Sequence, residues 1–310
     1  MSVEPCVASS AWRAAPDGER PRMHDGGRSS ESVDGSPAST ARLVARRDLC
    51  GLARPSLVLP QHTRRFRFFE TTLVQILCGR LNLDDGHTRL DLDAGSPLLL
   101  VDAHACADLR KTPGGDARRF QSMFLTFPPA LVAAFQRETA PADLSGTTGA
   151  DRSRPPFQTV ALDADLLASL QHVLQGVEQA GLSDARLRYR LMDLLHALAE
   201  RGFRLPPPLA PTTSGRLRAL FGDAPGHHWT AQAAGRELAM SEATLRRRLA
   251  AEQAEFESLL VEVRMHHAMM LLQTTGWNLA RIAEACGYRS RARFAERFKE
   301  RFGTVPSRVR

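Results

Sequence analysis

The chain has 310 residues, 43% hydrophobic and 24% charged, with a formal net charge of +7; this is a globular composition, long enough for two domains with cores of their own. Five scattered cysteines (Cys6, Cys50, Cys78, Cys106 and Cys286) without a C-x-x-C pair argue against a disulfide scaffold and a zinc knuckle. No apolar leader opens the chain and no run reaches bilayer length, so a cytoplasmic protein with no membrane partner is expected.

Residues 1 to 50, rich in Gly, Pro, Ser, Asp and Arg, read as a disordered arm, and Met23 is an alternative start. Short apolar pulses follow at Ser56–Leu59, Thr72–Leu77, Thr88–Leu92, Leu98–Val101 and Phe120–Phe127. Turn signals such as Asp84-Asp85-Gly86, Asp93-Ala94-Gly95 and Pro113-Gly114-Gly115 separate them. That punctuation predicts a small antiparallel sandwich or barrel. The helical spacing of Leu166, Leu167, Leu170, Val173, Leu174 and Val177 predicts a helix over 163–178. Ser183 caps a second, with a stripe of Leu187, Leu191, Leu194, Leu195 and Leu198 ending before Gly202. The stripe either covers the strands or pairs with a second copy of the chain as a homodimer. Leu205-Pro206-Pro207-Pro208-Leu209-Ala210-Pro211 then breaks all periodicity and reads as a semi-rigid linker.

The last third concentrates the charge. From Thr212 to Arg310 there are 16 Lys and Arg against 10 Asp and Glu, and from Arg289 onward 8 against 2; a basic end on a near-neutral body points to a polyanion. Thr230 caps a helix to Leu238, and Ser241 caps another from Glu242 to about Glu252. Two short helices across a tight turn, the second arginine-rich, are the pattern of a helix-turn-helix. Gly235 supplies a small residue where the two approach. Leu245 and Leu249 mark the inward face of the second helix, so Ala243, Arg247 and Ala250 point outward with Arg246 and Thr244 on the flanks. Arg248 falls nearer the buried edge and suits a phosphate. A guanidinium forks onto guanine O6 and N7, while a small Ala243 permits close approach to a base edge.

The arrangement repeats. Asn278 opens a helix ending at Cys286, Gly287 supplies the turn, and Ser290 caps a helix from Arg291 to Phe302 closed by Gly303. Phe294, Phe298 and Phe302 face inward. Ala292, Arg293 and Glu296 face outward, with Arg291 at the entrance; Arg293, Arg297, Lys299 and Arg301 are assigned to phosphates. Between the two units, Glu255 to about Thr274 reads as one continuous helix. At ~1.5 Å per residue it spans roughly 30 Å, close to the ~34 Å of one duplex turn. A rod of that length places two recognition helices in successive major grooves.

The motifs Arg264-x3-Ala268-x2-Leu271-Leu272 and Ile282-Ala283-x3-Gly287-Tyr288-x-Ser290-x3-Phe294-x3-Phe298-Lys299-x2-Phe302-Gly303-x2-Pro306-x3-Arg310 resemble the signature of the AraC/XylS transcription regulators over about residues 212–310. The resemblance implies a seven-helix DNA-binding domain behind a cupin-like effector or dimerisation domain. It implies base contacts from Ala243, Arg246 and Arg247, and from Arg291, Ala292, Ala295 and Glu296. Three positions depart from the pattern: Val309 where an aromatic is common, Ala239 at a turn position often held by Gly, and Glu296 where a basic or polar reader is common.

The expectation is therefore an α+β multidomain chain: an arm (1–50), a cupin-like β-sandwich or barrel with two helices (51–203), a linker (204–213) and an all-α domain with two helix-turn-helix units (214–310). It is a DNA-binding regulator, an activator in the first instance, with double-stranded DNA, RNA polymerase and a small-molecule or protein effector as partners. No cofactor, no metal site and no catalytic residue are assigned. The alternatives are a cupin-type metal enzyme fused to a DNA-binding domain, which needs clustered ligands where His62, His87 and His104 lie far apart in sequence, and a non-specific architectural DNA binder.

Overall fold

The computed structural model describes residues 43–46, 48–115, 118–139, 154–179, 181–205 and 212–309. In chain order its strands begin with β1 (Leu43–Arg46), β2 (Cys50–Ala53), β3 (Ser56–Leu57), β4 (Gln61–Arg67), β5 (Thr71–Cys78) and β6 (Arg80–Asp84). Next come β7 (Arg89–Asp93), β8 (Leu98–Val101), β9 (Cys106–Thr112), β10 (Phe120–Phe127), helix α1 (Pro129–Thr139) and β11 (Phe157–Val160). Helices α2 (Ala164–Glu178) and α3 (Asp184–Glu200) complete the amino-terminal half. The other half is helical: α4 (Thr213–Asp223), α5 (Ala231–Glu237), α6 (Glu242–Ala251), α7 (Phe256–Thr274), α8 (Leu279–Ala285), α9 (Arg291–Phe302) and a 3₁₀ turn at Pro306–Arg308. That is six α-helices and a 3₁₀ turn among the described residues, against the seven helices that the resemblance implies.

Two antiparallel sheets face each other. The larger runs β1-β2-β10-β5-β8-β11 with β3 also on β10; the smaller runs β4-β9-β6-β7. The central strands β8 and β10 of the large sheet are buried on both sides, because both sides are covered. On β8, Leu99 and Val101 join Val74, Ile76 and Phe124 against Leu81, Leu83 and Leu109 of the small sheet. Alternate residues Leu98 and Leu100 turn the other way, with Leu73 and Leu125, onto α1, α2 and α3.

Ser183 caps α3 through its side chain as expected, and Asp163, read as the first residue of its helix, is instead the side-chain cap of α2. Leu187, Leu191, Leu194, Leu195 and Leu198 are all buried in the core shared with the large sheet. The leucine stripe thus packs on the chain's own strands.

Two expectations need correction. The arm assigned to 1–50 is too long, since β1 and β2 begin at Leu43 and Cys50 and pair with each other and with β10; its remainder, residues 1–42 with Met23 and Cys6, lies outside the described residues. The linker was drawn too far, since Thr213 already starts α4; the proline run 206–211 also lies outside them.

The two halves share a core. Met265, Ala268, Met269 and Met270 of α7 sit in one apolar cluster with Phe66, Phe68 and Phe124 of the sheets. Every residue of α7 from Met265 to Thr274 is buried, as expected of a helix covered on all sides. Polar groups run through the same contact. Lys111 Nζ donates to Gln273 Oε1 at 2.9 Å, and Gln273 Nε2 donates to Gln61 Oε1 at 2.7 Å. The Arg67 backbone N–H donates to His266 Nε2 at 3.0 Å.

Candidate nucleic-acid interface

Each short helix pair is built from the same local parts. Thr230 caps α5 by accepting from the Ala233 N–H at 3.1 Å, and Asn278 caps α8 by accepting from the Arg281 N–H at 2.9 Å. Both pairs then turn through a left-handed residue, Ala239 at φ 56° and Gly287 at φ 77°. The next N–H closes each turn at 2.8 Å, Met240 onto the Gly235 carbonyl and Tyr288 onto the Ala283 carbonyl. A Cβ on Gly235 would stand 2.8 Å from the Met240 carbonyl oxygen, so this glycine admits the turn's backbone rather than a helix crossing. Ser241 and Ser290 cap the second helix of each pair.

On α6, Leu245 and Leu249 are buried while Ala243, Arg246, Arg247 and Arg248 are exposed. At ~100° per residue, Arg247 lies opposite the buried pair. Arg246 is held by Glu242 at 2.6 Å within the exposed face, and Arg248 leans over the Met240 sulfur at 3.6 Å. On α9, Phe294, Phe298 and Phe302 are buried. Arg291, Ala292, Arg293, Glu296, Arg297 and Lys299 are exposed and Ala295 is half-buried; Arg297 pairs with Glu300 at 3.0 Å. The two outward faces therefore carry the residues assigned to bases, except Ala295 on the half-buried flank of α9, and, with one exception, those assigned to phosphates.

The exception is Arg301, which does not face outward. Its Nη2 donates to the Arg65 carbonyl at 2.7 Å and its Nη1 to the Arg64 carbonyl at 3.4 Å, and it approaches Glu262 at 3.9 Å. Helical phasing carries the signal: position 301 falls ~60° from the centre of the phenylalanine stripe, well inside the buried half. Arg301 is an interdomain contact.

Groups to which sequence reasoning gave no role stand around this frame. Glu262 on α7 accepts from Arg67 Nε at 2.7 Å and from Arg218 Nε on α4 at 3.0 Å. Burial works against its charge, but Arg218 and Arg67 outweigh that and hold its carboxyl below the usual range. Arg264 reaches from α7 to the Pro225 and His227 carbonyls, and Arg281 stacks on Trp277 at 3.9 Å. Glu252, at the end of α6, accepts the Thr213 and Ser214 N–H groups at 2.7 and 2.8 Å and so caps α4.

Elsewhere the site chemistry is sparse. His62 faces Asp108 at 3.5 Å, His87 lies in the β6–β7 turn and His104 in the β8–β9 turn. Among the described residues no three His, Cys, Asp or Glu side chains come together as a set that could hold a metal ion, and no helix is long and apolar enough to cross a membrane. A small cavity of about 20 Å³ lies between the large sheet and α7, lined by Leu52, Phe66, Phe68, Phe124 and Met270 with Glu70 at its polar side.

The family described as "Helix-turn-helix domain" matches residues 234–310. The HTH-type transcriptional regulator YdeO of Escherichia coli K12 is 36% identical over 98 residues, which are 32% of this chain and 38% of YdeO; the match spans little more than a third of that relative. Two solved structures of ToxT from Vibrio cholerae strain SCE256, each 14% identical, share the fold. An apo variant superposes with a TM-score of 0.58 over 83% of this chain and 95% of its own. The unsaturated fatty acid-bound wild type superposes with a TM-score of 0.55 over 84% and 94%.

Proposed function

We infer that this chain, whose carboxy-terminal domain is an AraC-type helix-turn-helix domain, is a sequence-specific DNA-binding transcription regulator. In this reading α5–α6 and α8–α9 are its two helix-turn-helix units, and α6 and α9 enter successive major grooves on one side of the duplex. The observation that carries it is the repeat itself: two helix pairs with the same cap, left-handed turn and closing hydrogen bond, each showing an arginine-bearing face to solvent, at either end of one buried helix.

Base contacts fall to Ala243, Arg246 and Arg247 on α6 and to Arg291, Ala292, Ala295 and Glu296 on α9. Phosphate contacts fall to Arg248, Arg293, Arg297 and Lys299. Glu296 accepts from cytosine N4 or repels phosphate, so α9 reads less sequence than α6. The amino-terminal half, residues 43–205, is a cupin-like sensing domain, joined through the proline-rich stretch to the DNA-binding half. The unsaturated fatty acid bound to ToxT, a neighbour in fold, supports an apolar small-molecule effector here. Its seat is the cavity against Met270, which as it stands holds little more than a water molecule; a ligand must shift the flexible methionines of α7 to enter, which couples binding to the DNA-reading half. The chain acts as an activator that contacts RNA polymerase when seated on its operator.

Selection from a random-sequence duplex pool followed by competition binding tests the function. A preferred duplex bound on the order of 10³-fold or more tighter than random competitor at physiological salt is the expected result. Equal affinity for all duplexes contradicts it and favours a non-specific architectural binder.

A further inference from the structure

The connecting helix alone does not fix how the two helix pairs face each other. Each pair packs on it through a separate apolar cluster, Leu245 and Leu249 with Leu260 and Val263 for the first and Ile282, Phe294 and Phe298 with Ala268 and Leu272 for the second, so their mutual angle is set where something ties one pair to the other. One side chain does so.

Arg264 projects from the middle of α7 into the gap between the pairs. Toward the first pair, its Nε donates to the Pro225 carbonyl at 2.9 Å and its Nη2 to the His227 carbonyl at 2.8 Å. Both carbonyls belong to the segment that leads into α5. Toward the second pair, its guanidinium stacks on the Tyr288 ring at 5.7 Å. It also packs so closely on the turn of that pair that a Cβ on Gly287 would lie 2.6 Å from Nη2. The two segments meet directly beside it, where a Cβ on Gly226 would stand 3.0 Å from the Ala285 carbonyl oxygen.

A planar guanidinium with a fork of donors and a stacking face satisfies both sides at once. A lysine ammonium can neither fork nor stack in this way. Burial disfavours the charge and lowers its pKa, and two carbonyls and a ring face hold the half-buried cation in place.

We propose that Arg264 is the positioning residue that sets the angle and spacing between the two DNA-reading helices, by clamping the loop before the first unit to the turn inside the second. It touches no DNA and acts through α6 and α9. The proposal rests on the two-groove reading and deepens it: rigid geometry makes the second unit's engagement intramolecular at high effective concentration, but only for operators whose two contacted segments stand at the matching separation.

The test uses the full chain and a duplex recovered by the wild-type protein from a random pool, with versions in which one or two base pairs are inserted or removed between the two footprinted segments. Wild type is expected to lose about tenfold or more in affinity per altered spacing. Arg264→Lys is expected to bind the parent duplex about tenfold more weakly and to show less than about a threefold spacing penalty, while binding to a duplex that keeps only the α6 segment stays within about twofold of wild type. Tyr288→Leu, which leaves Arg264 in place but removes the face it stacks on, blunts the penalty in the same direction, and Tyr288→Phe retains it. A spacing penalty in both Arg264→Lys and Tyr288→Leu equal to that of wild type overturns the role of Arg264 alone, as does an equal weakening on every duplex. Wild type indifferent to spacing overturns the two-groove reading and this proposal with it.

Discussion

Ala239 occupies a left-handed backbone conformation, φ 56°, that glycine adopts freely and alanine does not. The corresponding turn of the second pair uses Gly287 at φ 77°. Ala239→Gly is therefore expected to stabilise the protein by roughly 0.5–1 kcal/mol, part of which the looser unfolded chain takes back; urea denaturation at fixed pH checks it, and a lower midpoint refutes it. The resemblance to a known family marked this position as a departure, because its pattern often has a glycine where this chain has Ala239. Arg301 is the opposite case. Its charge and place in a basic helix suggested phosphate, and only its phase against Phe294, Phe298 and Phe302 separates it from Arg293. Arg293→Ala should reduce the salt slope of DNA binding by about one ion. Arg301→Ala should leave that slope unchanged and lower thermal stability, since the carbonyls of Arg64 and Arg65 lose their donor. Equal effects on the slope would return Arg301 to the DNA face.

Elements with strong local signals were legible to within a residue or so. The caps at Asp163, Ser183, Thr230, Ser241, Asn278 and Ser290 all lie where side-chain oxygens accept the N–H groups of a first turn. Elements that depend on distant partners were not. The sequence of α4 contains Gly215 and Gly222, poor helix formers, and its first turn is completed by Glu252, some forty positions away. Strands β1 and β4 are short or charged and gain their place from pairing with β2 and β9. The burial of α7 on every side from Met265 to Thr274 follows from the sheets lying against it, which its apolar pattern hinted at without showing what covers it.

That burial gives α7 a pH dependence. Burial, with Arg301 and Arg67 close by and only partly offset by Glu262, pushes the His266 imidazole down to about 3 from an ordinary 6.5. His267 is pushed down to about 4, also by burial. Both rings are neutral in the folded protein, whereas the unfolded chain takes up their protons below pH ~6.5. Their contribution to stability is therefore fully present above pH ~6.5 and is lost as pH falls through 4 and then 3. Thermal unfolding followed from pH 7 to pH 4 should show a falling midpoint, with the fall reduced in His267→Leu. A flat profile across that range contradicts the assignment.

At the scale of the molecule, the carboxylate of Glu262 binds the two halves together, holding Arg67 of the sheet domain and Arg218 of α4 within 3.0 Å and lying 3.9 Å from Arg301 of α9. Breaking a partly buried pair leaves uncompensated charges, which costs more than the pair itself contributes. Glu262→Gln should therefore loosen the seam: proteolysis between residues 204 and 213 and hydrogen exchange in β4 should both rise, while the repeat geometry of the two helix pairs stays intact. Unchanged protection would show that the apolar contact through Met265, Met269 and Met270 suffices by itself. Little of this seam was visible in the sequence beyond the inward phase of Arg301, because a proline-rich boundary suggested separable domains and said nothing of how their faces fit.

The claim on which the functional account stands is that two arginine-bearing helices, carried by one stiff helix, enter adjacent grooves together. Methylation interference with the full-length chain on its selected duplex tests it most directly. The prediction is two clusters of major-groove interference about one turn (roughly 10 base pairs) apart on the same face, the cluster under α6 vanishing in Arg247→Ala with about 1–3 kcal/mol of discrimination lost at one base pair. A single cluster, or two on opposite faces of the duplex, would contradict it.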